Sequence, residues 1–169
     1  GVRITVSTSW FVPKPHTAFQ WEPQISKEEY QRRVKLLREA ITTKTVTYNW
    51  HDPDTSFLEA VLARGDRRMC KVLEAAWRKG AKLDAWEEFF SLERWMEAFD
   101  ECGLDPHFYA NRQREKDEIM PWSVISSGVT EEYLWRELQR AEVGVTTPDC
   151  RTHCNGCGAN HMVGGTCHV

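Results

Sequence analysis

The first fifty residues have the pattern of a strand, a helix and a second strand. Ile4 and Val6 alternate with polar residues in the first segment, and residues 44–50 show the same alternation. Between these segments, Ser26 and Glu29 have the spacing of a capping box, which predicts the start of a helix. A strand, a helix and a strand in this order predict a crossover between two parallel strands.

Two parallel strands are too few to form a sheet of their own. Parallel sheets normally have more strands and are covered by helices on both faces. The chain also starts with Gly1 instead of Met, and its first strand begins almost at once. We therefore expect the missing strands upstream, and we expect the chain to be a fragment of a longer protein.

From Asp54 onward, apolar residues recur at helical spacing, which predicts a mainly helical region. Gly65, Gly80 and Gly103 fall where helices should end, and each is expected to adopt the left-handed conformation of a C-terminal cap. Six further side chains in or near the helical segments are expected to pack in the core: Trp77, Trp86, Trp95, Trp135, Cys70 and Cys102.

The composition is that of an ordinary soluble domain, with 169 residues, 41% hydrophobic and 28% charged. A net charge of −3 gives no whole-chain reason to expect nucleic acid. The chain has no apolar stretch of the roughly 20 residues needed to span a bilayer and no signal peptide, so we expect a cytoplasmic protein without a membrane partner.

Four of the six cysteines lie in the glycine-rich last twenty residues. Cys150, Cys154 and Cys157 have CxxxCxxC spacing, and Cys167 follows near the end. Thiolates ligate both zinc and iron–sulfur clusters, and the intervening glycines allow the backbone to turn tightly around a metal. The spacing therefore predicts a Cys-rich metal-binding tail that holds an iron–sulfur cluster or zinc.

The fourth ligand of this site has several candidates. Cys167 would complete a set of thiolates, whereas His153, His161 or His168 would supply an imidazole instead. The alternatives to a metal site are a disordered tail with free thiols and a set of disulfides.

Two histidines follow segments that read as strands. His16, with Lys14, lies in a proline-rich connection after the first strand, and His51 directly follows the second strand. In β/α barrels the carboxyl ends of the strands carry the active site, so these are candidate substrate-facing residues. The alternative for His16 is an exposed imidazole on a rigid connection. Beside His51, the alternative is that Asp52, Asp54 or Ser56 caps the next helix.

The segment ARGDRR contains three arginines, Arg64, Arg67 and Arg68. Guanidinium groups suit phosphates and carboxylates, so these residues are further candidates to face a substrate or a partner domain. A surface ion-pair network with Asp66 and Glu59 is the alternative. The chain has no dinucleotide-binding, P-loop, nucleophile-elbow or HExxH motif.

Several longer segments occur together in a characteristic order: SWFVPKPHTAFQW, YNWHDPDTSFLEAVLARGDRR, KGAKLDAW, MPWSVISSGV and TPDCRTHCNGCG. They resemble the C-terminal part of B12-binding-domain radical SAM proteins, a family that also carries a fused DUF2344-type region. The resemblance covers residues 4–158 and includes the three cysteines of the CxxxCxxC motif.

The resemblance implies an α/β start, residues 1–52, that completes a radical SAM β/α barrel lying mostly upstream. A mainly α-helical extension, residues 53–145, and the Cys-rich tail, residues 146–169, would follow it. The implied partners are the upstream barrel and the B12-binding domain of the same parent protein. SAM, a [4Fe–4S] cluster and cobalamin are implied for that parent only, and we expect this fragment alone to be inactive.

Radical SAM enzymes use CxxxCxxC spacing for the cluster that binds SAM, and most of their barrel follows the motif. Only twelve residues follow Cys157 here, so the tail is expected to be a second, closed metal site. The alternative for the whole chain is a stand-alone helical zinc-knuckle module that binds protein or RNA.

Overall fold

The computed structural model describes residues 1–165, apart from the side chain of Val163. Its elements in chain order are β1 (Ile4–Thr8), α1 (Lys27–Ala40), β2 (Val46–Trp50), α2 (Pro53–Arg64), α3 (Met69–Arg78), α4 (Leu92–Glu101), α5 (Pro106–Ala110), α6 (Glu131–Glu142) and a short 3-10 helix (Ala159–Val163). The chain forms two compact units. Unit 1 comprises Gly1–Val12 and Pro23–Arg112, and unit 2 comprises Pro13–Glu22 and the chain from Gln113 onward.

Strands β1 and β2 form a two-stranded parallel sheet in unit 1. The register runs from Ile4 opposite Val46 to Thr8 opposite Trp50, and the His51 N–H donates to the Thr8 carbonyl at 3.0 Å just beyond the paired residues. The predicted parallel crossover at the start of a mainly helical chain is therefore confirmed. The predicted domain boundaries, residues 1–52, 53–145 and 146–169, stay a prediction.

Helix α1 connects the two strands and begins at the predicted cap. The Ser26 hydroxyl accepts a hydrogen bond from the Glu29 N–H at 3.2 Å, which satisfies one of the amides left open at a helix start. Tyr30 and Val34 are its buried residues. The Trp10 ring stacks on Tyr30, with ring centroids 5.1 Å apart and planes 5° apart. This contact holds the segment after β1 against α1.

Helices α2 to α5 complete unit 1 around one apolar core. Asp52 caps α2 by accepting hydrogen bonds from the amides of Asp54 and Thr55, so the cap is the first of the three candidates Asp52, Asp54 and Ser56. The most deeply buried apolar residues come from several helices: Ala60, Val61, Val72, Ala76, Ala98, Phe99, Tyr109 and Ala110.

The three glycines predicted to cap helices divide into two types. Gly80, with φ +97°, and Gly103, with φ +63°, have the expected left-handed conformation. The prediction for Gly65 was wrong, because its φ is −68°. A Cβ on Gly65 would lie 2.4 Å from Cγ of Met69, so this glycine allows the close approach of a side chain.

Two tryptophans and one cysteine predicted for the core are on the surface instead. Trp77 and Trp86 are 60% and 61% exposed, and Cys70 is exposed as well. Helix α3 buries Val72 and Ala76, so at 3.6 residues per turn Cys70 and Trp77 fall on its outer face. Cys102 and Trp135 are half-buried.

Trp95 is buried, as predicted, and its indole N–H donates to Oδ2 of Asp84 at 2.7 Å. This bond satisfies the polar end of the buried indole, which usually needs a partner in a core. The same bond holds the segment between α3 and α4, which carries Asp84, against α4.

Unit 2 is built around α6 and has a smaller core of its own. Thr130 caps α6 by accepting a hydrogen bond from the Tyr133 N–H at 3.3 Å. The buried apolar residues of this unit are Trp21, Met120, Trp122, Leu134 and Leu138. No helix within residues 1–165 combines the length and the apolar character needed to cross a membrane.

Candidate functional site

Residues 154–158 of unit 2 form an irregular, glycine-rich segment with a bend at Gly158, which we call the cysteine turn. Gly156 and Gly158 have φ angles of +67° and +90°, in the left-handed region that glycine adopts at little cost. The Gly156 N–H donates to Sγ of Cys154 at 3.4 Å. Cysteine thiolates are ligands of zinc and of iron–sulfur clusters, so this sulfur is a candidate metal ligand.

Three hydrogen bonds hold the cysteine turn in place. The Thr130 N–H donates to the Cys157 carbonyl at 2.8 Å, and Nη2 of Arg136 donates to the Asn155 carbonyl at 2.7 Å. The Asn155 side-chain amide donates to the Pro148 carbonyl at 2.8 Å. The turn is therefore attached both to the start of α6 and to the segment that precedes the cysteines.

Gly158 is buried, and a Cβ on it would lie 2.6 Å from Cγ2 of Thr130. Tyr133, one turn further along α6, lies near Cys157. Burial first, and then the charges of Glu137 and Cys157, raise the pKa of the Tyr133 phenol. The side of the turn that carries Cys157 thus packs closely on α6.

The predicted ligands are only partly brought together. Cys154 and Cys157 lie on the same turn, where Cys154 is exposed and Cys157 half-buried; Cys150 is exposed. Cys167 and His168 lie outside the described residues. Within residues 1–165, no three or more His, Cys, Asp or Glu side chains form a group that could hold a metal ion.

The cysteine turn carries two cysteines, which is half of the four ligands of a structural zinc site. Two cysteines separated by two residues, with left-handed glycines and an amide directed at sulfur, suit zinc or an iron–sulfur cluster. His153 and His161, the other candidate ligands among the described residues, are exposed.

His16 lies in a cleft of about 300 Å³ within unit 2. Its φ of +57° is unusual for a residue with a side chain, and its N–H donates to Oε1 of Gln20 at 3.0 Å. The same oxygen accepts the Trp122 indole N–H at 2.9 Å. Lys14 is exposed, and its carbonyl accepts a hydrogen bond from the Thr17 hydroxyl at 2.8 Å.

Gln20 and Trp122 line this cleft, and sequence reasoning missed both as candidate site residues. They lie 102 positions apart, in the segments SWFVPKPHTAFQW and MPWSVISSGV, and neither segment contains a catalytic or metal-binding motif that would single them out. Glu131, at the start of α6, also lines the cleft and adds a carboxylate to its wall.

His51 is exposed at the carboxyl end of β2, as expected from its position. Its carbonyl accepts a hydrogen bond from the Tyr30 hydroxyl at 2.9 Å. The main chain of His51 therefore links the end of β2 to α1, whereas its side chain is exposed to solvent.

Arg64 is fully buried, so it is not a surface group. Its Nε donates to the Tyr109 carbonyl at 2.9 Å, and Nη2 donates to the Arg112 carbonyl at 3.3 Å. These carbonyls lie at and just beyond the C-terminal end of α5. Arg64 therefore supports α5 within unit 1.

Arg67 and Arg68 are exposed. Arg68 forms a salt bridge with Asp66 at 2.6 Å, and this guanidinium holds the pKa of the Asp66 carboxyl below its ordinary value. The alternative of a surface ion pair with Asp66 is thus confirmed for Arg68. The three arginines do not form a common anion site, because Arg64 faces the interior.

No family model matches the chain, and no solved structure is significantly similar to it. A curated protein of Methanocaldococcus jannaschii, described as "Uncharacterized protein MJ0966", is 21% identical over 103 residues. The match covers 60% of this chain and 22% of that protein, so the chain spans about a fifth of the length of the curated relative.

Proposed function

We propose that the chain is the C-terminal part of a radical SAM, B12-associated enzyme, and that its tail holds an auxiliary iron–sulfur cluster or a zinc ion. The observation that carries the metal proposal is the cysteine turn. Its Gly156 N–H is directed at Cys154 Sγ, and its carbonyls are bonded to α6. A segment whose backbone is already held by hydrogen bonds loses less conformational entropy when a metal binds.

Cys154 and Cys157 would supply two thiolates from this turn. Cys150 and Cys167 would complete the set, with Cys150 brought in by the segment around Pro148, to which the Asn155 side chain is bonded. Bound zinc would cross-link the tail, and a bound cluster would in addition be able to exchange an electron.

The sheet of unit 1 supports the proposal that residues 1–52 complete a larger barrel. In a parallel pair, alternate residues direct their peptide groups away from the partner strand, which places those of Thr5 and Ser7 on the outer edge of β1. Within residues 1–165, β1 pairs only with β2, so these groups have no partner strand. Ile4 is 52% exposed and Trp50 is 41% exposed.

An open edge and exposed apolar faces are unusual for a parallel sheet, because such sheets are normally buried. Further strands of a β/α barrel would pair with this edge and cover these side chains. In such a barrel His51 would lie at the end where substrates bind. In the intact parent, one electron from its [4Fe–4S] cluster would cleave SAM into methionine and a 5′-deoxyadenosyl radical, and its cobalamin suggests methyl transfer or a related modification.

Measurement of bound metal tests whether the cysteines of the tail hold a cluster or zinc. The chain is purified without oxygen and loaded either with iron and sulfide or with zinc, and bound metal is measured after desalting. We expect retention by the wild type, loss in Cys154→Ser and full retention in Cys70→Ser, which changes an exposed cysteine outside the tail. A wild type that retains neither metal, or a Cys154→Ser variant with unchanged content, would refute the site.

Amide hydrogen exchange tests whether β1 pairs with a further strand in the longer parent protein. The amides of Thr5 and Ser7 should exchange rapidly in this chain and slowly in the longer parent protein, where a neighbouring strand would protect them. Equally rapid exchange in both proteins contradicts the barrel assignment and leaves the result for the metal site intact.

A further inference from the structure

We infer that Arg136 is a positioning residue for the metal site of the tail. Its guanidinium holds the cysteine turn on α6 and places a fixed positive charge at the carbonyl of Asn155, which lies between the two cysteines in the sequence. This inference rests on the proposed metal-binding function and names a residue outside the cysteine motif on which that function depends.

The contact is made at the centre of the turn. Nη2 of Arg136 donates to the carbonyl of Asn155 at 2.7 Å, and Asn155 is the residue that directly follows Cys154. The bond therefore fixes a peptide group between the two proposed ligands. Rotation of this peptide would move Cys154 relative to Cys157, so the bond restricts the separation of the two sulfur atoms.

Arg136 is itself held in a defined orientation. Its Cζ lies 5.0 Å from the centroid of the Tyr133 ring, at cation–π distance. Helix α6, which carries both residues, is anchored in unit 2 by the buried side chains of Leu134 and Leu138. Because α6 is packed in the core of unit 2, the hydrogen bond from Arg136 restricts the movement of the largely exposed cysteine turn.

The charge of Arg136 also suits a thiolate site. A divalent metal bound by several thiolates carries a net negative charge, which a nearby cation stabilises. Arg136 has no salt bridge to a carboxylate within residues 1–165, so no fixed anion in that part of the chain neutralises it. By contrast, Arg140 on the same helix forms a salt bridge with Glu137 at 3.1 Å.

Outer groups that orient metal ligands typically change metal affinity by about 10- to 100-fold when they are removed. We therefore expect Arg136→Gln to weaken Co²⁺ and Zn²⁺ binding by about this factor. Arg136→Lys retains the charge and one donor, so it should recover part of the loss. Arg33→Gln removes an exposed arginine from α1 in unit 1 and should leave the affinity unchanged.

The experiment is a Co²⁺ titration of the full chain followed by Zn²⁺ competition, with the sulfur-to-cobalt charge-transfer band as the signal. Circular dichroism of the metal-free variants shows whether each one is folded. A loss of affinity in folded Arg136→Gln, a changed cobalt spectrum and partial recovery in Arg136→Lys support the inference. A wild-type chain that binds Co²⁺ no more tightly than folded Arg136→Gln overturns it.

The Co²⁺ titration distinguishes failure of the metal site from failure of the role of Arg136. If the wild type shows no thiolate-to-cobalt band, the metal site is refuted and the role of Arg136 is refuted with it. If the wild type binds Co²⁺ and Arg136→Gln binds equally well, the metal site stands and only the role of Arg136 is overturned.

Discussion

Nε of Arg64 donates a hydrogen bond to the carbonyl oxygen of Tyr109 at 2.9 Å, and both residues are buried. The last carbonyls of a helix have no partner within the helix. Arg64, on α2, donates to carbonyls at and just beyond the C-terminal end of α5, a helix that lies far from it in the sequence.

Replacement of this guanidinium should therefore destabilise unit 1. A buried acceptor left without a donor costs about 1–3 kcal/mol, and Arg64→Met also removes the bond to Arg112. We expect Arg64→Met to lower the free energy of unfolding by a few kcal/mol in urea titrations. Arg67→Met, which changes an exposed arginine of the same segment, should alter it by less than about 0.5 kcal/mol. Equal effects of the two substitutions would contradict a structural role for Arg64.

Gln20→Leu should destabilise unit 2, because one oxygen of Gln20 serves two donors. The Trp122 indole N–H and the His16 N–H would both lose their acceptor, at a cost of about 1–3 kcal/mol for the buried indole. Thermal unfolding measures the loss, and the NMR signal of the Trp122 indole proton should shift. Gln139→Leu, at an exposed position of α6, is the control. An unshifted indole signal would show that this bond is absent in solution.

A matched pair of glycines tests the packing of the cysteine turn. Gly158 and Gly144 both have positive φ, of +90° and +70°, so alanine is strained at either position. At Gly158 the new Cβ would also lie 2.6 Å from Cγ2 of Thr130, whereas at Gly144 nothing lies within 4 Å. We expect Gly158→Ala to lower both the melting temperature and the metal affinity more than Gly144→Ala. Equal losses would show that the turn does not pack on Thr130.

The pH dependence of α1 follows from one carboxylate. Hydrogen bonds from Arg32 and Arg33 lower the pKa of Glu29 from its ordinary value of 4.5 to about 2. A carboxyl with a lowered pKa in the folded state stabilises the protein above its ordinary pKa, and this stabilisation is lost as the pH falls through the lower value.

The stability of the wild type relative to Glu29→Gln should therefore decrease between pH 4.5 and about pH 2 and be constant above this range. Chemical unfolding of both proteins across this range measures the difference. Because Glu29 and its partners are on the surface, added salt should reduce it. Parallel pH profiles at low salt would rule out a contribution of this ion pair to folding.

Local signals predicted the elements of the chain well. Ser26 with Glu29 predicted a helix start that the structure shows with a capping hydrogen bond, whereas for α2 the sequence left Asp52, Asp54 and Ser56 open as caps and the structure shows Asp52. Alternation in the first segment and in residues 44–50 predicted two strands that pair in parallel. Such signals are readable because each depends on residues only a few positions apart.

The orientation of side chains was less predictable. Trp77 and Cys70 lie on a helix as expected, yet on the face turned away from the core. Arg64 was grouped with Arg67 and Arg68 by sequence, whereas the structure buries the first and exposes the other two. Helical periodicity defines which residues share a face, but neighbouring helices decide which face is covered.

For the candidate metal site, the cysteine spacing and the glycines predicted a backbone that turns tightly around a metal held by three or four thiolates. Within residues 1–165 the structure shows the left-handed glycines beside Cys154 and Cys157 but no group of three ligands. Only the tertiary structure placed this turn on α6, with Arg136 bonded to Asn155 and Thr130 to Cys157. The same holds for Arg64 and Gln20, whose partners lie 45 and 102 positions away. Contacts over such distances depend on how helices pack, and that packing is a property of the whole folded chain.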